Sequence, residues 1–287
     1  MSKKGYIYTG IIAAIIIIIG VFHFTSSKTQ KATKSHPQTV NVAVDTSNRP
    51  YSFVDGNNVS GYDGELLKKL DQELPQYKFK YYNAAQNSVF VGLESGKYDL
   101  ASSGFWYSKQ RAQQYLLSNP SGIADLRLVY RQNEGKVNGF QDVVKKHLNL
   151  APISSDDARY NVIQQYNNSH PKEKIKLKAI GDQSAGDALK QLQQKQFDAV
   201  FYPYQAFVPV QQAGGAKGLT VSPSLGFKND YIAANKNPKN KQLISDINKE
   251  LKKLKANGYL EKLSKKWLGE NVFNLPGAEK NFENPKG

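Results

Sequence analysis

Arg111 closes a stretch, Lys97 to Arg111, whose residues could receive a carboxylate. The stretch opens with a short run of apolar and small residues, Tyr98, Leu100 and Ala101, that suits a buried strand. It breaks at Ser102-Ser103-Gly104, where glycine permits backbone conformations that turn amides outward. A polar link, Tyr107-Ser108-Lys109-Gln110, then leads into a helical segment carrying Arg111. Guanidinium is a planar fork that matches a carboxylate with two hydrogen bonds. Ser103, the Gly104 loop and Arg111 are therefore a candidate carboxylate receptor. The ordinary alternative is a surface strand, loop and helix with a solvated arginine.

Other chemistries find less support. Asp45, Asp156 and Asp157 could be catalytic carboxylates, but catalysis needs an acid or base placed beside a nucleophile or metal. The chain has no Gly-x-Ser-x-Gly, no phosphate loop and no His/Glu metal pair. Its four histidines, His23, His36, His147 and His170, are scattered without metal-ligand spacing. No enzyme, metal or cofactor is expected. The chain also has no cysteine, which excludes disulfides, thiolate metal sites and a lipid-modified N-terminal cysteine. A net charge of +15 admits anionic partners such as a cell wall or membrane. No zinc finger or RNP-type motif accompanies that charge, so no nucleic-acid partner is expected.

The elements that must position these residues follow an α/β pattern. A basic head, Met1 to Lys4, precedes a nearly uncharged run from Gly5 to Phe24 centred on consecutive isoleucines. About 20 such residues span a bilayer core. Residues 1–25 read as an uncleaved transmembrane anchor or a signal peptide. The long apolar region and the absence of a small-x-small cleavage pattern at Val21-Phe22-His23-Phe24 favour the anchor. Lys3 and Lys4 place its N-terminus inside, so the remainder lies outside the cell membrane. Residues 26–38 read as a flexible stalk.

Beyond the stalk, strands are expected at 39–44, 78–82 and 98–101, with helices at 65–74 and 88–94 between them. This order implies a parallel sheet. Another strand is expected at 126–131, and a second set follows, with strands at 148–153, 175–180 and 197–202. Its helices begin at the N-cap cluster Ser154-Ser155-Asp156-Asp157 and at Asp187. A strand at 231–234 precedes a long amphipathic helix or helix pair over 241–267, broken at Asn257-Gly258. Its outer face is nearly all lysine, which reads as a solvated face.

Several short motifs recur in an informative order: Pro50-Tyr51-Ser52-Phe53, Gly61-Tyr62-Asp63-Gly64-Glu65-Leu66, and Leu93-Glu94-Ser95-Gly96-Lys97-Tyr98-Asp99. Ser103-Gly104, Arg111, Phe197-Asp198-Ala199-Val200, Tyr231-Ile232-Ala233, Gly258-Tyr259 and Lys266-Trp267 follow. In this order the chain resembles the solute-binding proteins of family 3 that serve amino-acid ABC transporters, over about residues 39–273. The resemblance implies a type II periplasmic-binding-protein-like fold. Its lobe 1 would be 39–130 plus 224–275, its lobe 2 would be 131–223, and a tail would follow at 276–287. Two crossing strands would join the lobes, and a hinge would close them on a ligand.

The same resemblance places Arg111, Ser103 and Gly104 at the ligand carboxylate, and Asp45 where some members read the ligand side chain. Asp45 can equally be a turn cap. Tyr51 and Trp106 also fall in this region, although Trp106 stands where a small hydroxyl residue is common. Members usually hold the ligand ammonium with an aspartate that corresponds here to Pro203. Positions usually aromatic are Gln86 and Asn48, and the usual Gly-Thr of lobe 2 is Ser154-Ser155-Asp156. Asp156, with Tyr202 or Tyr204, is the candidate reader of the ligand's other end, against a simple capping role for Asp156. The expected function is capture of a small carboxylate-bearing solute, an amino acid or derivative, for an ABC permease. A basic cell-surface adhesin that contacts an anionic wall is the alternative.

Overall fold

The computed structural model describes residues 32–56, 58–155, 157–178 and 185–284. The isoleucine-rich run and most of the stalk lie outside these residues. Among the described residues, no helix is long and apolar enough to cross a membrane.

The chain begins with strand β1 (Gln38–Asp45), two short strands β2 (Ser47–Asn48) and β3 (Ser52–Asp55), and β4 (Asn58–Ser60). Helix α1 (Tyr62–Glu73) follows, with Leu66, Leu67 and Leu70 fully buried on one face, and Pro75 lies just beyond its end. Next come β5 (Tyr77–Ala84), α2 (Gln86–Glu94), β6 (Leu100–Trp106) and the short α3 (Lys109–Gln114). Strand β7 (Leu116–Arg131) is 16 residues long. The remaining helices are α4 (Phe140–Lys145), α5 (Ala158–Ser169), α6 (Ala185–Gln193), α7 (Tyr204–Gln212), α8 (Pro238–Ala256), α9 (Tyr259–Leu268) and α10 (Ala278–Glu283). Strands β8 (Ala199–Pro203), β9 (Leu219–Val221) and β10 (Phe227–Ala234) lie among them.

The main sheet runs β5-β1-β6-β10-β7-β8, with β9 also on β7. Only β5, β1 and β6 are mutually parallel; β10 runs antiparallel to β6 and β7, and β7 runs antiparallel to β8 and β9. The expectation of a parallel sheet therefore holds for part of it. Strand β7 explains the change. Its first part, Leu116 to Asp125, pairs with β10, and its last part, Leu126 to Arg131, pairs with β8 and β9. One strand thus belongs to both lobes of this two-lobe fold. The return crossing is tied to it by Ser222 N donating to Leu128 O, Leu225 N to Leu126 O, and Leu126 N to Gly226 O.

Each lobe has its own core. In the first, α1, α8 and α9 bury Leu66, Leu70, Leu243, Ile247, Leu251 and Leu263 with the β1 valines. In the second, Leu126, Leu128, Ile153, Ile163 and Phe201 pack together. Two expected strands of the second lobe are replaced. Residues 148–153 make only an isolated bridge, Leu150 to Ala199, and 175–178 form no strand. Instead the Asn167 side chain takes the place of a neighbouring strand, accepting from Ile175 N and donating to Ile175 O. The C-terminal segment is docked: Phe282 packs edge-on against Phe273, and Asn229 bonds Asn281 and Asn284.

Candidate ligand-binding site

The candidate receptor is built on β6, which the sequence reading ended at Ala101. The strand instead continues through Ser102, Ser103 and Gly104 to Trp106. A buried carboxylate makes this possible. Asp63, in the first turn of α1, accepts from Ser102 Oγ at 2.6 Å and from Gly104 N at 2.8 Å. The Gly104 amide is therefore turned inward onto Asp63, a correction to the expectation that it faces outward. Burial pushes the Asp63 carboxyl up to about 6, and its bonds from Ser102 and Gly104 oppose the rise. Gly104 has φ +61°, where an L side chain is strained, and a Cβ there would lie 3.2 Å from the Tyr51 ring, which would have to give way.

The turn before β3 is tied to the same place. Tyr62 N donates to Pro50 O and Asp63 N to Tyr51 O, so the start of α1 caps onto this turn. Asn48 Nδ2 donates to both Ser103 O and Ser103 Oγ at 3.0 Å. Ser103 Oγ reaches Asp45 Oδ2 at 3.4 Å, and Ser52 Oγ donates to Asp45 O. Asp45, Asn48 and Ser103 therefore converge, and Asn48 acts as a lock on the strand where an aromatic was the expected residue.

Arg111 follows on α3, whose N-cap Ser108 accepts from Arg111 N. Its Nη1 donates to Trp106 O at 2.8 Å, and its guanidinium lies 4.9 Å from the Phe90 ring centre and 5.8 Å from that of Phe105. These contacts hold the fork in place while it remains half-buried. No salt bridge involving Arg111 occurs among the described residues. Burial lowers its pKa, and Asp157 of the second lobe acts in the opposite direction.

The second lobe supplies a separate cluster. Asp157 caps α5 and takes the Arg159 guanidinium in a fork, with Nε at 3.0 Å from each oxygen and Nη2 at 2.5 Å from Oδ2. Arg159 also donates to Phe201 O and lies 4.0 Å over the Tyr202 ring. Tyr202 in turn is one of the groups that raise the Tyr51 phenol, after burial, Asp230 and Asp63. Tyr204 stands with the hinge: Arg127, paired with Asp125, lies 4.3 Å over its ring. Asp156 lies outside the described residues.

Trp106 has a different place from the expected one. It is buried in the second-lobe core with Leu126, Leu128 and Phe201, although its strand belongs to the first lobe. It bridges the lobes beside the crossing strands. The sequence reading also missed the Asp63 clamp and Asp230, which lies on β10 against Trp106. A signal for each was present: an acid between two glycines at a helix start, and a charge at the head of the apolar run Tyr231-Ile232-Ala233-Ala234.

The arrangement can hold a carboxylate at Arg111 and polar groups at Asp45 and Ser103, between two lobes that share one continuous strand. Comparisons with known proteins bear on the family and the fold. The family described as bacterial extracellular solute-binding proteins, family 3, matches residues 40–270. The L-cystine-binding protein TcyK of Bacillus subtilis (strain 168) is 29% identical over 249 residues, covering 85% of this chain and 89% of its own. The L-cystine-binding protein TcyJ of the same organism is 27% identical over 260 residues, covering 89% and 94%. A structure solved in work on glutathione import via GshT and the cystine ABC importer TcyBC of Streptococcus mutans is also similar. It has a TM-score of 0.71 and 27% identity, covering 82% of this chain and 96% of that one.

Proposed function

Because the chain belongs to the bacterial extracellular solute-binding proteins of family 3, we propose that it captures a carboxylate-bearing amino-acid-type solute of the cystine class and delivers it to an ABC importer. The observation that carries this reading is Arg111: half-buried, braced by Trp106 O and two phenyl rings, and in no salt bridge among the described residues. A guanidinium so placed is preorganised for a carboxylate. Asp45 and Ser103 contact one another on the first lobe, and Arg159 stacks over Tyr202 on the second. The likeness to L-cystine-binding proteins, and to a structure from work on glutathione import, supports solutes with two carboxylates and a thiol or disulfide sulfur. No observation favours the wall-binding alternative.

A thermal-shift and calorimetry panel tests the reading. It comprises L-cystine, L-cysteine, reduced and oxidised glutathione, L-arginine, L-glutamine and a cell-wall fraction. At about 100 times the dissociation constant, a true ligand adds about 2.7 kcal/mol of stability. We expect at least one disulfide or γ-glutamyl compound to do so, with the cell wall giving no comparable shift. A panel in which no small solute raises the melting temperature would remove the proposal.

A further inference from the structure

Pro203 leaves the second lobe without the acid expected to hold a ligand ammonium, and a different strand offers one. Asp230 lies on β10, paired in register with Trp106 on β6 and with Gly122 on β7. It is 1% exposed, and neither of its carboxylate oxygens has a hydrogen-bond partner. It makes no salt bridge among the described residues. Gly122 leaves the room it occupies: a Cβ there would stand 3.0 Å from Asp230 Oδ2 and 3.1 Å from the Tyr62 ring. The Tyr51 hydroxyl is likewise buried without a partner. Two open acceptors and one open hydroxyl thus belong to one cluster at the end of the binding strand.

We propose that Asp230 receives the ammonium group of the bound solute, in place of the acid that Pro203 replaces; this rests on the amino-acid-type reading given above. The geometry joins it to the carboxylate receptor through one residue. Trp106 presents its carbonyl to Arg111 and pairs across the strand with Asp230. An α-amino acid carries its carboxylate and ammonium on the same carbon, so both can be held around Trp106. Burying an unpaired carboxylate is costly, and a cation with several N–H donors removes that cost. The groups facing Asp230 are Asp63 and Tyr62 from α1, Tyr51 from the turn before β3, and the Trp106 indole from β6. Burial and then Asp63 push the Asp230 carboxyl well up, and the indole opposes them in part without reaching hydrogen-bond geometry. Opening of the lobes, which draws Trp106 from the second-lobe core, gives the solute its access.

Calorimetry on the full chain decides the matter, with L-cystine and N,N′-diacetyl-L-cystine as probes at pH 7. Wild type is expected to prefer L-cystine by about 30-fold or more. Asp230→Asn should lose that preference, while melting at the same temperature or higher because a buried carboxyl without a hydrogen-bond partner is gone. Diacetyl-cystine affinity should change little. An Asp230→Asn variant that binds L-cystine as wild type does overturns the proposal. So does one that no longer melts cooperatively, since the carboxylate would then be structural, and so does a sodium-dependent stabilisation lost in the variant with L-cystine binding intact. Wild type that binds no member of the earlier panel overturns the underlying reading instead.

Discussion

Replacing Arg111 by alanine is expected to weaken solute binding by about 30-fold or more while the protein stays folded. The loss follows from leaving a bound carboxylate without its charged partner in a partly desolvated cleft, a cost of about 2–5 kcal/mol. The fold should tolerate the change better. Within the protein Arg111 makes one side-chain hydrogen bond, to Trp106 O, and stacks beside Phe90 and Phe105. Losing these contacts costs about 1–2 kcal/mol, and relief of a half-buried charge offsets part of that. Arg111→Lys keeps the charge but loses the planar fork, so its affinity should fall between the two. Calorimetry with the tightest member of the panel, beside urea unfolding, reads both effects. Equal affinity in wild type and Arg111→Ala would exclude Arg111 as the carboxylate contact.

The second large effect is a fall in stability as pH rises through the mildly acid range. Asp63 titrates near 6 in the folded protein against an ordinary value of 3.8. The folded chain therefore holds this proton more tightly than the unfolded chain does. Its contribution is fully present below about pH 4, declines as pH rises, and levels off above about pH 6. At about 1.4 kcal/mol per pKa unit, the change is about 3 kcal/mol. Asp230 acts in the same direction because its carboxyl is also raised. Urea unfolding of wild type and Asp63→Asn between pH 4 and 8 isolates the Asp63 part. The variant should lose the decline that belongs to this group. It should also bind solute more weakly, by about tenfold, because an amide cannot accept from both Ser102 Oγ and Gly104 N. Parallel pH profiles in the two proteins would show that Asp63 is not the group responsible.

Much of the first lobe could be read from residues alone, because its signals are local. The leucines of α1, the break at Asn257-Gly258 and the valines of β1 follow helix and strand periods directly. What escaped was set by distant partners. The first half of β7 contains Ser118-Asn119-Pro120-Ser121-Gly122, a composition that suggests a turn. It is nevertheless a strand, because β10 pairs along it, shifting register around Pro120, and α8 supplies Asn248 Oδ1 to Asn119 N. Lysines at 174, 176 and 178 alternate with apolar residues as a strand would, yet the Asn167 side chain takes the Ile175 backbone, Lys178 O accepts a single bond from Ile153 N, and no ladder forms. At the site, Arg111, Ser103 and Asp45 were legible as residue types in a recognisable order. The inward turn of the Gly104 amide was not, because it depends on Asp63, which lies 41 positions earlier in the chain.

Strand β7 has one further consequence, for the order in which the molecule assembles. A chain made from its N-terminus produces β1, β5 and β6 long before β10, the strand that covers the free edge of β6. Pairings such as Leu116 with Ala234 span the whole of the second lobe. Until β10 arrives, β6 presents an open edge carrying Phe105 and Trp106, the kind of edge that recruits other chains. The second lobe has no such delay, since β8 and β9 need only the far half of β7. Non-local pairing of this kind is slow. The enclosed lobe should thus gain protease resistance in chains cut after Val221, whereas the enclosing lobe should require residues 222–284 as well, so the part of the protein synthesised first is the part that folds last.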